Sequence, residues 1–333
     1  MESILQSPLW ADAQRALGRT VHTKQGPGWS FLGIEERHPL GTVLYLPYGP
    51  VAQNLPALDA ALKAARSIAK NRGAAFIRIE PVTLDLPVEQ ARRALRQRGL
   101  QPAPAAQQPE LSRIIDLDQD FAQVLKQMKP ANRNLYRNIG KKGVSFRATQ
   151  DPAEITTLLG FLRQTAQRQG FTPHSDDYLR RIGSELMRHG AATLYLAELH
   201  DAPELPDRVQ TDSRAVPIAA ALVYDSADTR TYAHAAIDAD HRKLSAGIPL
   251  VVTLMAEAQK KGLAHVDLWG VAPEDQPEHR WAGFTAFKAS FGGRLVEYPG
   301  TWDLPVRRLR YRLYTTARAL RGRLRTLLRS VNR

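Results

Sequence analysis

Hydrophobic positions in this chain recur at two different spacings, and the switch between them lays out its organisation. Short apolar runs at "VLYLPYGP" (43–50), "YAHAAIDA" (232–239), "ATLYLAEL" (192–199) and "AVPIAAALVYD" (215–225) predict strands, the last two as a pair. "ARSIAKNRGAAFIRIEP" (65–81) and "LMAEAQKKGLAHVDLWG" (254–270) each read as a helix that ends in a glycine and is followed by a strand. Ala69, Gly73 and Ala75 match Ala258, Gly262 and Ala264 at one offset (258 − 69 = 189), and the strands at 43–50 and 232–239 stand at the same offset. This pattern predicts two copies of one α/β unit, each running strand, helix, strand.

Further elements fill out the second copy. "DFAQVLKQMKPANRNLYRNIGKKG" reads as two helical pieces, interrupted near Pro130 and stopped at Gly143. A helix over 151–170 has Asp151 as its cap and Pro152 at its first position. A polar loop is expected from His200 to Arg214, between the paired strands. Ahead of these lies a helix in "VTLDLPVEQARRALRQRG", and then a Pro/Ala/Gln stretch (101–109) suited to a link between lobes. The expected domains are a first lobe over 1–110, a second over 111–296, and a segment over 297–333 that returns to the first.

Charge changes the picture at one end. The net charge is +13, and residues 306–333 hold ten arginines and no acid, leaving only +3 for the rest (13 − 10 = 3). The apolar positions of that tail, Val306, Leu309, Leu313, Ala317, Leu320, Leu324, Leu327 and Val331, form one stripe of an amphipathic helix. Three uses fit such a helix: packing on the body, contact with anionic lipid, or contact with RNA phosphate. Elsewhere, 43% hydrophobic and 24% charged residues describe a globular chain. It has no cysteine, which removes disulfides, thiolate nucleophiles and Cys-based zinc sites. Neither HExxH nor another histidine ligand spacing occurs, no window reaches the length of a membrane span, and the N-terminus lacks a secretory pattern. A cytoplasmic location is expected.

Two stretches carry candidate chemistry. In "PANRNLYRNIGKKG", Arg133, Arg137 and Lys141 recur every four residues and, with Lys142, would make a cationic ridge able to hold phosphate; a solvated basic face is the plainer reading. In "GFTAFKASFGG" (283–293), two helical turns put Phe284, Phe287 and Phe291 on one face with Lys288 at its edge. That ammonium either snorkels to water or, pointed into a cleft, stabilises an oxyanion. Just upstream a strand ends at Trp269-Gly270 and a long loop follows, a common place for ligands in α/β lobes. There is no GxxxxGK[ST] loop and no GxGxxG after a strand. "HRKLSAG" (241–247) is a poor match to the pyrophosphate loop of acetyl-CoA enzymes, with serine where glycine is wanted.

Together "LQSPLWADAQRALG", "YLPYGPV", "NRNLYRNIGKKGV", "GFTPHSDDYL", "DLWGVAP" and "GFTAFKASFGG" resemble, in order and over nearly the whole chain, the Fem (FemABX) family of aminoacyl-tRNA-dependent transferases that build peptidoglycan cross-bridges. The resemblance implies two GNAT-like lobes with the last helix packing on the first, in a compact form without the family's long helical arm. It implies transfer of an amino acid from aminoacyl-tRNA to the side-chain amine of the third residue of a precursor peptide, on lipid II or UDP-MurNAc-pentapeptide. Glycine, alanine or serine would be the amino acid moved. No cofactor or metal is implied, since the tRNA ester is already activated. By resemblance Lys288 stabilises charge at the ester, Glu80 orients the acceptor amine or relays its proton, and Tyr178 lines the acceptor groove. Gln14 and His174 stand where a compact member has phosphate-binding basic residues; Arg15 or Arg242 would compensate. Trp269, at the end of its strand, completes the expected substrate-binding set, and peripheral contact with the inner face of an anionic membrane is expected of the tail. Other readings are a CoA-dependent acyltransferase, an aminoacyl-tRNA transferase acting on protein or lipid, or a non-catalytic RNA- or membrane-binding protein.

Overall fold

A computed structural model describes residues 1–331 except 40, 171, 201–214, 274, 275, 277 and 280, with side chains as far as residue 320. Two mixed sheets share one plan. In one, Gly41–Leu46 and Phe76–Ile79 run parallel with the helix Leu55–Asn71 between them in sequence. In the other, Thr229–Ile237 and His265–Gly270 run parallel across the helix Gly247–Lys260. Each parallel pair is flanked by antiparallel neighbours: Trp29–His38 and Trp302–Pro305 in the first case, Val216–Asp225 and Leu111–Asp116 in the second. These are the two copies of one α/β unit anticipated from the 189-residue offset, arranged as the two lobes that the resemblance implied.

The duplication extends further than the sequence showed. Trp302–Pro305 shifted by the offset begins at 113 (302 − 189 = 113), inside Leu111–Asp116. The strand following each copy is thus built into the sheet of the other. Chain contacts divide the molecule accordingly, into 14–110 with 297–333 and 1–13 with 111–296. Residues 1–13 therefore leave the first lobe in which the sequence reading put them. Ile4, Leu5, Trp10 and Ala11 are buried, the N-terminal ammonium pairs with Asp228 at 2.9 Å, and the Trp10 ring lies 6.1 Å from that of Tyr224.

Local chemistry explains the elements. Asn54 caps Leu55–Asn71 by accepting from the Ala57 amide, and Gly73 and Gly262 end their helices at φ 67° and 78°. Ala57, Ala61, Ala65 and Ala69 let that first helix lie close on Leu44, Leu46, Ile77 and Ile79. Leu250, Leu254, Met255 and Ala258 do the same over Val223, Val266 and Leu268. Phe121–Gln127 and Pro130–Asn138 break ahead of the proline as expected, and Asp151 caps a 3-10 turn that leads into Ile155–Gln169. Ala192–Leu199 and Val216–Asp225 pair antiparallel; the loop joining them lies from residue 201 to 214 outside the described residues. The "link" at 101–109 is partly a strand, Gln101–Pro102, beside Trp302–Pro305. The last helix, Arg308–Val331, packs through Tyr311 and Tyr314 against Val43, Ala75 and Phe76, not through its leucine stripe.

The double glycine that ends "GFTAFKASFGG" has a steric cause. At Gly293 φ is 73° and an added Cβ would come 2.3 Å from the Ile114 carbonyl oxygen. Gly293→Ala is expected to lower stability by about 2 kcal/mol or more, seen as a lower urea midpoint at unchanged slope.

Candidate functional site

The helix Ala282–Ala289 positions Lys288 at its C-terminal end, where a cation is favoured by the helix dipole. Phe287 packs into the core edge-to-face with Phe291 at 5.1 Å, whereas Phe284 is 43% exposed, so the expected phenylalanine face is buried only at one end. Ser290, just past the helix, accepts from the Lys129 amide at 2.9 Å and from the Asn132 side-chain amide at 2.7 Å, which ties the helix to Pro130–Asn138. With its backbone held, the half-buried Lys288 side chain donates to the Gly270 carbonyl at 2.6 Å.

That carbonyl is presented by a kink. The register of His265–Gly270 on Leu111–Asp116 shifts between Asp267 and Gly270, and Trp269 adopts a left-handed φ of 64°, strained for so large a side chain. Asp267 stabilises the kink: one carboxylate oxygen accepts from the Trp269 amide at 2.7 Å and from the Ser112 hydroxyl. Burial, opposed by the Asp267 charge, brings the Lys288 pKa down to about 8. Burial likewise raises Asp267 against the hydrogen bonds from Ser112 and Trp269 and the charge of Lys288. The result is an amine that stays cationic near neutrality, partly desolvated, and fixed at the carboxyl end of a sheet strand. Such a group can stabilise a developing oxyanion. Asp267 escaped the sequence reading; its only signal was its place two residues before Trp269 on the same strand.

Glu80 follows the equivalent strand of the other lobe, Phe76–Ile79, and is 3% exposed. Its carboxylate accepts from the Tyr45 hydroxyl at 2.6 Å, the Thr301 hydroxyl at 2.9 Å, and the amides of Gln107 and Gln108 at 3.2 and 2.8 Å. Burial raises its pKa even against these donors. Glu80 therefore organises the 101–109 segment and the return strand, and an acceptor amine would reach it only by displacing one of its donors.

Tyr178 and His174 belong to a separate aromatic cluster of the second lobe. The His174 ring lies 5.3 Å from Tyr178 and 5.9 Å from His234, and His234 lies 5.9 Å from Tyr224. Burial, reinforced by His174, pushes the His234 pKa down to about 3, so this ring is neutral at physiological pH. The buried Tyr224 hydroxyl and Trp10 Nε1 have no partner, which leaves two donors available to a bound group. Sequence reading missed Tyr224, His234 and Trp10 because nothing local marks them; three distant segments bring them together.

The remaining candidates are dispersed. Gln14 is fully buried with both amide atoms unpartnered, which suits an uncharged contact and not a surface phosphate clamp. Arg15 and Arg242 are exposed, the latter in a turn where Ser245 takes the left-handed φ of 54° expected of the missing glycine. The cationic ridge is interrupted: Pro130–Asn138 gives way to a 3-10 turn over Ile139–Lys142, which takes Lys141 off the four-residue repeat. Arg133 instead donates to the carbonyls of Lys126 and Met128, at 3.1 and 2.5 Å, closing the preceding helix. Arg137, Lys141 and Lys142 are exposed, with no carboxylate paired to them among the described residues. They form a smaller basic patch.

The Lys288 arrangement makes a direct prediction. Labelling of Lys288 by an amine-selective reagent, read by mass spectrometry across pH, is expected to titrate at about 8. In Asp267→Asn the midpoint should move lower, because the charge that favours the ammonium is gone.

Comparison with known proteins places the chain beside one group of transferases. Residues 200–319, which include Trp269, Gly270 and Lys288, match the model of the FemAB family. A lipid II:glycine glycyltransferase of Staphylococcus epidermidis is 22% identical, over 93% of this chain and 89% of its own length. A Staphylococcus aureus protein of the same name is 27% identical over 47% of this chain and 39% of its own. The crystal structure of FemX superposes with a TM-score of 0.79 at 20% identity, over 93% of this chain and 94% of that one. L-PGS from Bacillus licheniformis shares the fold more distantly, with a TM-score of 0.52 at 12% identity over 89% and 87%. Sequence order, duplicated fold and matched segment all point to the Fem family: residues 200–319 match its model, and the chain shares the fold of FemX.

Proposed function

We propose that this protein is an aminoacyltransferase that moves an amino acid from aminoacyl-tRNA to the side-chain amine of the third residue of a peptidoglycan precursor peptide, with lipid II as the acceptor. The observation that carries the reading is Lys288, a partly desolvated cation held by Gly270 at a strand end within the segment matched by the family model. The relatives named lipid II:glycine glycyltransferase favour a lipid-linked acceptor and a small amino acid such as glycine.

In the proposed reaction the deprotonated acceptor amine attacks the ester carbonyl carbon, and a C–N bond forms. Lys288 stabilises the resulting oxyanion; the ester C–O bond then breaks, and the ribose hydroxyl leaves with the proton that the amine gives up. The exposed Arg137, Lys141 and Lys142 offer charge for tRNA phosphates. Tyr178 and His174 line the surface offered to the acceptor, with the His234, Tyr224 and Trp10 rings packed in the same cluster. Glu80 would act as a positioning residue, through Tyr45, Thr301 and the 101–109 segment, whose groups already occupy its carboxylate. Reaction on lipid II would take place at the cytoplasmic face of the membrane.

Purified protein, tRNA charged with radiolabelled glycine, alanine or serine, and precursors bearing lysine or ornithine test the reading. Label should pass to the precursor and be abolished by RNase pretreatment; no transfer to either lipid-linked or nucleotide-linked precursor by folded protein would refute it. Lys288→Ala should reduce single-turnover transfer by ~10²–10³.

The pH profile tests the charge itself. A charge-stabilising lysine works while protonated, so the wild-type rate should fall as pH rises through about 8. That falling limb should be absent from the residual rate of Lys288→Ala.

A further inference from the structure

The last helix presents an apolar stripe to solvent. Leu309, Leu313 and Leu320 are 78%, 56% and 54% exposed. At 100° per residue they fall within about 40° of one another around the axis. Tyr311 and Tyr314, which hold the helix on Val43, Ala75 and Phe76, project from the opposite side. Arg310 and Arg312 flank the stripe and are exposed, as are Arg307, Arg308 and Arg318. No acidic residue follows Asp303, which is itself buried against Arg78. The sequence continues the stripe's spacing through Leu324, Leu327 and Val331, among five further arginines.

We infer that the helix Arg308–Val331 is a peripheral membrane anchor that lies in the plane of an anionic bilayer. Its leucines enter the acyl boundary and its arginines engage the lipid phosphates. At 1.5 Å per residue the 24-residue helix extends about 36 Å along the surface. It does not cross: among the described residues no helix is long and apolar enough to span a membrane. The leucines decide the partner. RNA phosphate would engage the arginines and leave the apolar row in water, whereas a lipid interface satisfies both faces of one helix. The attachment through Tyr311 and Tyr314 keeps the anchor rigidly joined to the first lobe, so docking would orient that lobe against the surface.

The test uses full-length protein, because truncation ahead of the helix would strip Tyr311 from the core. Co-sedimentation with phosphatidylcholine vesicles is compared with and without phosphatidylglycerol. Wild-type protein should bind only the anionic vesicles, less so as salt rises. Leu309→Ser/Leu313→Ser/Leu320→Ser, all at exposed positions, should keep the wild-type thermal midpoint and bind at least about tenfold more weakly. Absence of wild-type binding, or equal binding by the triple variant, overturns the proposal. Equal binding that tRNA competes away would assign the arginines to nucleic acid. A concentration-dependent dimer lost in the variant, with no vesicle binding, would assign the stripe to a second copy of the chain. None of these readouts depends on amino acid transfer.

Discussion

The first lobe is held together by a buried ion pair. Arg78, on the central strand Phe76–Ile79, makes two parallel hydrogen bonds of 2.8 Å to Asp303 on the return strand Trp302–Pro305. Both side chains are almost wholly removed from solvent. Taking either charge out of water alone would cost several kcal/mol, so the arrangement tolerates neither partner singly; loss of one would cost about 3–5 kcal/mol. What depends on it is position. The return strand delivers the Thr301 hydroxyl to Glu80, and the start of the last helix to the surface over Phe76. The Tyr311 hydroxyl closes the set with a 3.4 Å contact to Asp303.

The second lobe uses a buried carboxylate to another end. Its parallel pair and crossover helix repeat those of the first, but the strand that carries the candidate site is distorted where its counterpart is regular. Asp267 draws the Trp269 amide and the Ser112 hydroxyl onto one oxygen, and the chain enters a left-handed turn. The Gly270 carbonyl so exposed holds Lys288. Strain in the strand, burial of the amine and burial of the acid each carry a cost, and all three fall within one site. The stable core of Leu250, Leu254, Val266 and Leu268 supports them. In the first lobe the acid that follows the corresponding strand, Glu80, stands at the position of Trp269 and not of Asp267, and accepts from four donors. Duplication thus leaves one strand end closed by hydrogen bonds and the other holding the half-buried Lys288.

Periodicity and glycine placement made much of this fold legible. The helices ending at Gly73 and Gly262, the pair Ala192–Leu199 with Val216–Asp225, and the break at Pro130 all follow from local rules that need no partner. Lys288 was legible for a similar reason, as a charge out of place on an apolar face. Where periodicity failed, contacts outside the helix itself had decided. Arg133 left the basic ridge because its guanidinium reaches the open carbonyls of the preceding helix. Phe284 stayed in solvent although its spacing matched Phe287 and Phe291, because the helix Ala282–Ala289 meets the core only near its C-terminal end.

The amino-acid order by itself determined the duplicated strand–helix–strand units, the resemblance to the Fem family, the amphipathic basic helix and the one lysine whose surroundings demand explanation. These are properties of spacing and composition along a contiguous segment. Only the tertiary structure decided which sheet receives the strand after each copy, that residues 1–13 join the second lobe, and that Leu309, Leu313 and Leu320 of the last helix turn outward. Only it could show Asp267 under Lys288, or Trp10, Tyr224 and His234 in one cluster. The physical reason is common to these cases. Each depends on free energy gained between residues far apart in sequence, through burial, a shared hydrogen bond or a paired charge, and no local pattern records a contact whose other half lies in a distant segment.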